Sequence, residues 1–202
     1  MIGIIDYDIG NIGAVANMLK RLGFPCGIAT TAEDVEQADH IILPGNGAFD
    51  ACMRNLHASG LIPVLEQQVL KRGVPLLGIC VGAQMLGVGS AEGAERGLGW
   101  VNMQVKRFPH MPGLRVPHMG WNRVYPAMPK HPLVQEMAPD ARFYFVHSYY
   151  MMTNDPHDVL LSSDYGVEFA AGIVKDNVVG VQFHPEKSHR FGKQFLAAFV
   201  RG

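Results

Sequence analysis

Gly78-Ile79-Cys80-Val81-Gly82 frames a cysteine with two glycines, directly after an apolar run and directly before a helical pattern. A nucleophile between glycines at a strand-to-helix junction is the pattern of a nucleophile elbow. The glycines are needed for space, because a turn this sharp strains the backbone and brings neighbouring Cβ positions into collision. An ordinary thiol with a pKa of about 8.5 is only about 3% thiolate at pH 7, and a helix N-terminus beside the sulfur favours the ionised form. The same pentapeptide also describes a structural cysteine packed between glycines. Cys26 and Cys52 lack any glycine frame and read as core filler.

A sulfur nucleophile needs a base and a group to orient that base. Val181-Gln182-Phe183-His184-Pro185-Glu186 supplies both. On an extended chain the side chains of His184 and Glu186 fall on one side, so the carboxylate can fix the imidazole tautomer. Pro185 marks the strand's end, where functional groups collect in open α/β sheets. A surface His-Pro-Glu turn is the plainer reading of the hexapeptide alone. Pro44-Gly45-Asn46-Gly47-Ala48-Phe49 follows another apolar run, and its glycines let backbone N–H groups approach a ligand. An oxyanion hole could combine an N–H of Asn46 or Gly47 with that of Val81. A simple strand-to-helix turn is the alternative. Nine histidines raise the question of a metal, but no H-E-x-x-H or C-x-x-C spacing occurs, so neither a metal site nor a cofactor is expected.

The elements that must position these groups follow from periodicity. Apolar strands are expected at Ile2–Asp6, Cys26–Thr30, His40–Leu43 and Pro75–Ile79. Helices are expected between them: one through Ile12, Val15, Leu19 and Leu22 with Asn11 as N-cap and Gly23 as stop, then Ala51–His57, Leu61–Arg72 and Val81–Leu86. Alternating strands and helices imply βαβ units on a parallel sheet. The second half reads as strands at Trp100–Phe108, Trp121–Tyr125, Phe143–His147, Val159–Ser163, Ala170–Lys175 and Val178–Phe183, with a loop at Pro109–Pro117 and a closing helix at Ser188–Val200. The expected class is therefore α/β: a mostly parallel central sheet flanked by helices, with an antiparallel extension and an elbow at Cys80. At 202 residues the chain is expected to form one domain.

A formal charge of −1 argues against binding to nucleic acid or to a membrane surface. No stretch approaches 18 apolar residues, and an odd, small number of cysteines points to a reducing, cytoplasmic setting. Charged residues make up only 17% of the chain, which fits a face covered by a partner.

Six ordered motifs together resemble the class I (triad) glutamine amidotransferases, and within them the glutaminase subunits of imidazole glycerol phosphate synthase. They are Asp6-Tyr7-Asp8-Ile9-Gly10-Asn11, Leu43–Phe49, Leu77–Gln84, Pro117-His118-Met119-Gly120-Trp121-Asn122, Tyr144–Tyr149 and Gln182–Ser188. The resemblance implies hydrolysis of L-glutamine to glutamate and ammonia, with Cys80 as nucleophile, His184 as acid and base, and Glu186 orienting it. It implies glutamine binding by Gln84, Glu92, His147, Ser148 and Tyr149. It also implies a heterodimer with a (β/α)8-barrel cyclase that receives the ammonia and makes imidazole glycerol phosphate, with Asn11, Pro117, Met119, Trp121 and Lys187 near the interface. A paralogue feeding a sugar-amidating enzyme, or a non-catalytic regulatory subunit of the same fold, would carry many of the same motifs. Asp8 stands where the family commonly has Gly, and Asn46 where it commonly has Val. Because Asn tolerates positive φ better than Val, Asn46 is expected to ease the peptide orientation that turns an N–H toward the oxyanion.

Overall fold

The computed structural model describes residues 1–202. Its first half is built from β1 (Ile2–Ile5), α1 (Ile12–Arg21), β2 (Cys26–Ala29), α2 (Ala32–Glu36), β3 (His40–Gly45), α3 (Phe49–Ala58), α4 (Ile62–Glu66), β4 (Leu76–Cys80) and α5 (Val81–Gln84). The second half adds β5 (Gly89–Ser90), β6 (Met103–Arg107), β7 (His118–Arg123), β8 (Tyr125–Pro126), β9 (Arg142–His147), β10 (Tyr149–Thr153), β11 (Val159–Asp164), β12 (Glu168–Lys175), β13 (Val178–Val181) and α6 (His189–Arg201). The main sheet runs β2-β1-β3-β4-β13-β12-β10-β6-β5. The pairings from β2 to β13 are parallel, and those from β13 through β12 and β10 to β6 are antiparallel. This is the expected mixed α/β sheet. β7 and β9 form a separate antiparallel pair.

β1, β4 and β13, inside the sheet, are apolar throughout because both faces are covered. Ile4, Ile5, Ile41, Ile42, Leu43, Leu76 and Leu77 are all fully buried. Phe191, Phe195 and Phe199, four residues apart, form the buried stripe by which α6 packs. Phe143 stacks on Phe183 at 3.9 Å and ties β9 to the segment after β13. One buried cluster of 52 residues extends through both halves of the chain.

Several expected boundaries move. The Leu61–Arg72 helix is α4 followed by a π-helical turn at Gln67–Lys71, and the helix opening at Val81 lasts only four residues. The strand expected at Trp121–Tyr125 begins instead at His118 and ends at Arg123, with β8 separate. The strand expected from Trp100 starts at Met103. α2 and β10 were not expected. α2 rests on a capping box in which Thr31 and Asp34 bond each other's backbone, a local signal legible in Thr-x-x-Asp. Asn11 occupies the N-cap of α1 without a capping hydrogen bond.

The feature that matters for the site is the approach of β3 to the start of α5. A Cβ on Gly82 would lie 2.0 Å from the Leu43 carbonyl oxygen, and one on Gly45 would lie 2.2 Å from the Gly82 nitrogen. Both contacts are backbone, so neither can give way easily. We therefore expect Gly82→Ala to lose about 1–3 kcal/mol or more of stability by overpacking. Gly13, in α1, has nothing within 4 Å of its would-be Cβ, and Gly13→Ala is expected to gain about 0.5–1 kcal/mol. Urea denaturation of both variants checks the opposite signs.

Candidate active site

Three adjacent parallel strands end together. Gly45 of β3 is in register with Cys80 of β4, and Ile79 is in register with Val181 of β13. The Asn46–Gly47 loop, the thiol and the segment carrying His184 therefore leave the sheet side by side at its carboxyl edge, where open α/β sheets place their sites. This topology joins two sequence motifs about a hundred residues apart.

Cys80 has φ 55° and ψ −113°, the strained backbone of an elbow. Gly78 is required beneath it, since a Cβ there would stand 2.7 Å from the Ala83 Cα. Val81 and Gly82 open α5, so their N–H groups have no carbonyl one turn earlier to satisfy them. Gln182, fully buried, donates its side-chain amide to the Cys80 sulfur at 3.8 Å.

His184 Nδ1 lies 2.8 Å from Glu186 Oε1, with side chains only 3% and 1% exposed. The carboxylate oxygen must accept, so Nδ1 carries the proton. Nε2 is then left buried with no hydrogen-bond partner, while the Cys80 sulfur acts on the same ring. A buried unpartnered ring nitrogen calls for a functional explanation, and the adjacent thiol supplies one. Strand alternation does not bring this pair together. β13 ends at Val181, and a 3-10 turn at Pro185–Lys187, capped by His184, brings Glu186 back onto the imidazole. Ser188 anchors the turn by donating to the His184 carbonyl at 2.6 Å while accepting from Tyr144 N at 3.0 Å. Asn11 reaches Glu186 Oε1 at 3.4 Å, a contact behind the carboxylate that the motif did not suggest.

Burial alone would lower the His184 pKa, but the Cys80 sulfur and the Glu186 carboxylate more than offset this and push it up to about 9. The imidazole is therefore held as imidazolium at neutral pH, beside a sulfur it can polarise or protonate.

The Pro44–Gly47 loop is anchored from below. Tyr7 donates to the Pro44 carbonyl at 2.6 Å, Cys52 Sγ lies 3.8 Å from the Asn46 carbonyl, and Asn55 holds the Tyr7 carbonyl at 3.2 Å. Cys52 is thus more than core filler, and burial raises its thiol pKa. The left-handed residue of this loop is Gly47, at φ +106°, whereas Asn46 does not take positive φ. The expectation that Asn46 would use that conformation is overturned, because the neighbouring glycine already supplies the turn. Asp8, where the family commonly has Gly, does adopt it, at φ 66°.

Asn46, Gly47, Cys80, Val81, Gln84, Glu92, Pro117, Val146, His147, Ser148 and Tyr149 line one cleft of about 250 Å³. Glu92 accepts from Phe49 N at 2.9 Å, at the start of α3. Its loop is strapped to Asp50, which accepts from Ala94 N and Glu95 N, both at 3.0 Å. These two N–H groups hold the Asp50 carboxyl below its usual range. Gln84 is buried and donates to the Tyr149 carbonyl at 3.1 Å and to Gln182 Oε1 at 3.0 Å, leaving only its oxygen for a ligand. Both ring nitrogens of His147 are engaged within the protein, with Nδ1 2.7 Å from the Tyr149 carbonyl and Nε2 2.9 Å from His118 Nδ1. Met119 and Trp121 lie on the exposed face of β7, Lys187 sits 6.0 Å over the Tyr144 ring, and Trp121 stacks on His189. Gln182, Tyr7 and His118 were legible in the sequence only as members of motifs, and their contacts needed the fold.

Residues 3–201 match the family described as glutamine amidotransferase class-I. Over 200 residues the chain is 53% identical to imidazole glycerol phosphate synthase subunit HisH 2 of Pseudomonas aeruginosa, covering 99% of this chain and 98% of that protein. It is 50% identical over 202 residues to subunit HisH of Bdellovibrio bacteriovorus, covering 98% of each. Among solved structures, PurLQS from Thermotoga maritima shares the fold with a TM-score of 0.75 at 18% identity, over 99% of this chain and 97% of that one.

An NMR titration of the imidazoles checks the site's electrostatics. His184 is expected to titrate near pH 9, and Glu186→Gln, which removes one raising influence, is expected to move it down. Because the native value exceeds the unfolded value of about 6.5, the stability this group contributes is complete below about pH 6.5 and lost as pH rises through about 9. Titration of native His184 at its ordinary value would contradict this reading.

Proposed function

The chain belongs to the class I glutamine amidotransferase family, and we propose that it acts as the glutaminase subunit of an imidazole glycerol phosphate synthase. The observation that carries this reading is the Cys80 elbow standing between an exposed glycine loop and a buried His184–Glu186 pair. The names of the full-length relatives supply the pathway. The single continuous core supports treating residues 1–202 as one amidotransferase domain.

In this reading the Cys80 sulfur attacks the side-chain amide carbon of L-glutamine, and the carbonyl oxygen becomes an oxyanion. The N–H groups of Val81 and of the Asn46–Gly47 loop would receive that charge. His184 passes a proton to the nitrogen, the C–N bond breaks, and ammonia leaves a glutamyl thioester. Water then attacks the thioester, His184 takes its proton, and collapse of the second oxyanion frees glutamate and the Cys80 sulfur. Glu186 keeps the imidazole aligned through both steps. Glu92, with its carboxylate at the cleft, suits the ammonium group of the amino acid, while the Gln84 oxygen and the Ser148–Tyr149 segment supply further polar contacts.

Ammonia released into water at neutral pH becomes ammonium, which is not a nucleophile, so the product is useful only if delivered directly. The partner would be a (β/α)8-barrel cyclase. Met119 and Trp121, 62% and 43% exposed on β7, with Lys187 close by, suit a docking face, Trp121 as its aromatic anchor. Pro117, which lines the cleft itself, would lie at the exit toward that partner. Asn11 would act at this edge through Glu186. No helix is long and apolar enough to cross a membrane. Three free cysteines fit a reducing cytoplasm, where we place the enzyme.

Glutamate release from glutamine, measured with and without the cyclase subunit, tests the proposal. Cyclase is expected to stimulate turnover, and Cys80→Ala is expected to lower it by about 10⁴-fold or more. Trp121→Ala is expected to weaken the complex by about 2 kcal/mol or more while leaving the chain folded. Wild-type turnover in Cys80→Ala would remove the mechanism. Stimulation only by a sugar-amidating synthase would remove the pathway but keep the chemistry.

A further inference from the structure

Two buried histidines that the mechanism does not use lie across from each other. His118 of β7 and His147 of β9 are register partners, and their Nδ1 and Nε2 atoms are 2.9 Å apart. The neighbours dictate both tautomers. The Tyr149 carbonyl, 2.7 Å from His147 Nδ1, can only accept, so His147 Nδ1 carries the hydrogen and its Nε2 offers a lone pair. His118 Nδ1 must then donate, which leaves His118 Nε2 to accept from the Asn122 side-chain amide at 3.3 Å. That amide also donates to the Asp164 carbonyl at 2.8 Å, so its orientation is set as well. Burial keeps both rings neutral, holding His118 down at about 4 and His147 at about 3. The His118 ring is clamped between Tyr165 and Phe145, stacked on each at centroid distances of 4.0 and 4.8 Å.

The chain of donors continues into the cleft. The Tyr149 carbonyl receives a second hydrogen bond from Gln84, which also donates to Gln182, which in turn donates to the Cys80 sulfur. His147 and Gln84 thus donate to the Tyr149 carbonyl from opposite sides of the network, and reversing any amide or tautomer would set two donors or two acceptors face to face.

We propose that His118 is a positioning residue for glutamine binding: through His147 it fixes the Tyr149 carbonyl, against which Gln84 is oriented to present its oxygen to the substrate. This inference rests on the glutaminase reading and assigns the orientation of one of its binding groups to a residue that does not touch glutamine. An Nδ1–H donor, rather than a ring, is what the network requires of position 118.

Two variants separate those requirements. His118→Phe keeps a ring between Tyr165 and Phe145 but removes the donor, and His118→Asn places an amide N–H near the former Nδ1. With the full chain and its cyclase partner, His118→Phe is expected to raise the KM for glutamine about tenfold, the worth of one lost buried hydrogen bond, with kcat little changed. His118→Asn is expected to bring KM back toward wild type. Long-range ¹H–¹⁵N NMR of the wild-type chain should show both rings neutral and protonated on Nδ1. An Nε2–H tautomer at His147, an unchanged KM in a folded His118→Phe, or an equal KM rise in both variants would overturn the proposal. The tautomer measurement needs no variant to fold and no turnover. Absence of any glutaminase activity in the wild type would instead count against the function itself.

Discussion

The close passage of one backbone over another at the carboxyl edge of the sheet governs this molecule. The last residues of β3 lie so near the first turn of α5 that neither Gly45 nor Gly82 has room for a side chain. That passage brings the Asn46–Gly47 peptides beside the turn that holds Cys80 at positive φ. In the proposed function, backbone N–H groups from these two strand ends would share a single oxygen. In the proposed reaction, close-packed glycines and one strained cysteine would form a preorganised place for charge to develop.

The electrostatics follow from the same edge. β13 lies next to β4, so the chain emerging from it can lay an imidazole beside the thiol. The Cys80 sulfur and the buried carboxylate behind that imidazole together outweigh the desolvation that would otherwise keep it neutral. Asn11, from the start of α1, closes the back of this arrangement by donating to the same carboxylate oxygen that His184 uses. Elements from both ends of the chain thus meet at one carboxylate.

Much of this was legible before any coordinates. The glycine frame suggested the elbow but described a packed structural cysteine equally well, and the positive φ of Cys80 decides between them. The apolar runs of the first half announced a parallel sheet. The nearness of His184 and Glu186 was anticipated for a reason that fails, since a 3-10 turn, not strand alternation, folds the carboxylate back. Asn46 was expected to carry a backbone conformation that Gly47 carries instead. The His118–His147 pair was illegible because it depends on the register of β7 against β9, and no local pattern encodes register between strands 29 residues apart. Tyr7 and Cys52 were hidden for a related reason: their polar atoms meet carbonyls of a distant loop, so each looks like ordinary core in its own segment.

The proposed chemistry requires a covalent bond to form at one of three thiols, that of Cys80. Acid-quenching the enzyme during glutamine turnover with its cyclase partner, followed by peptide mass spectrometry, addresses that directly. A glutamyl adduct on the peptide carrying Cys80, base-labile as a thioester is, is the expected result. An adduct on Cys26 or Cys52, or steady turnover with no adduct on any thiol even when deacylation is slowed, would contradict the account.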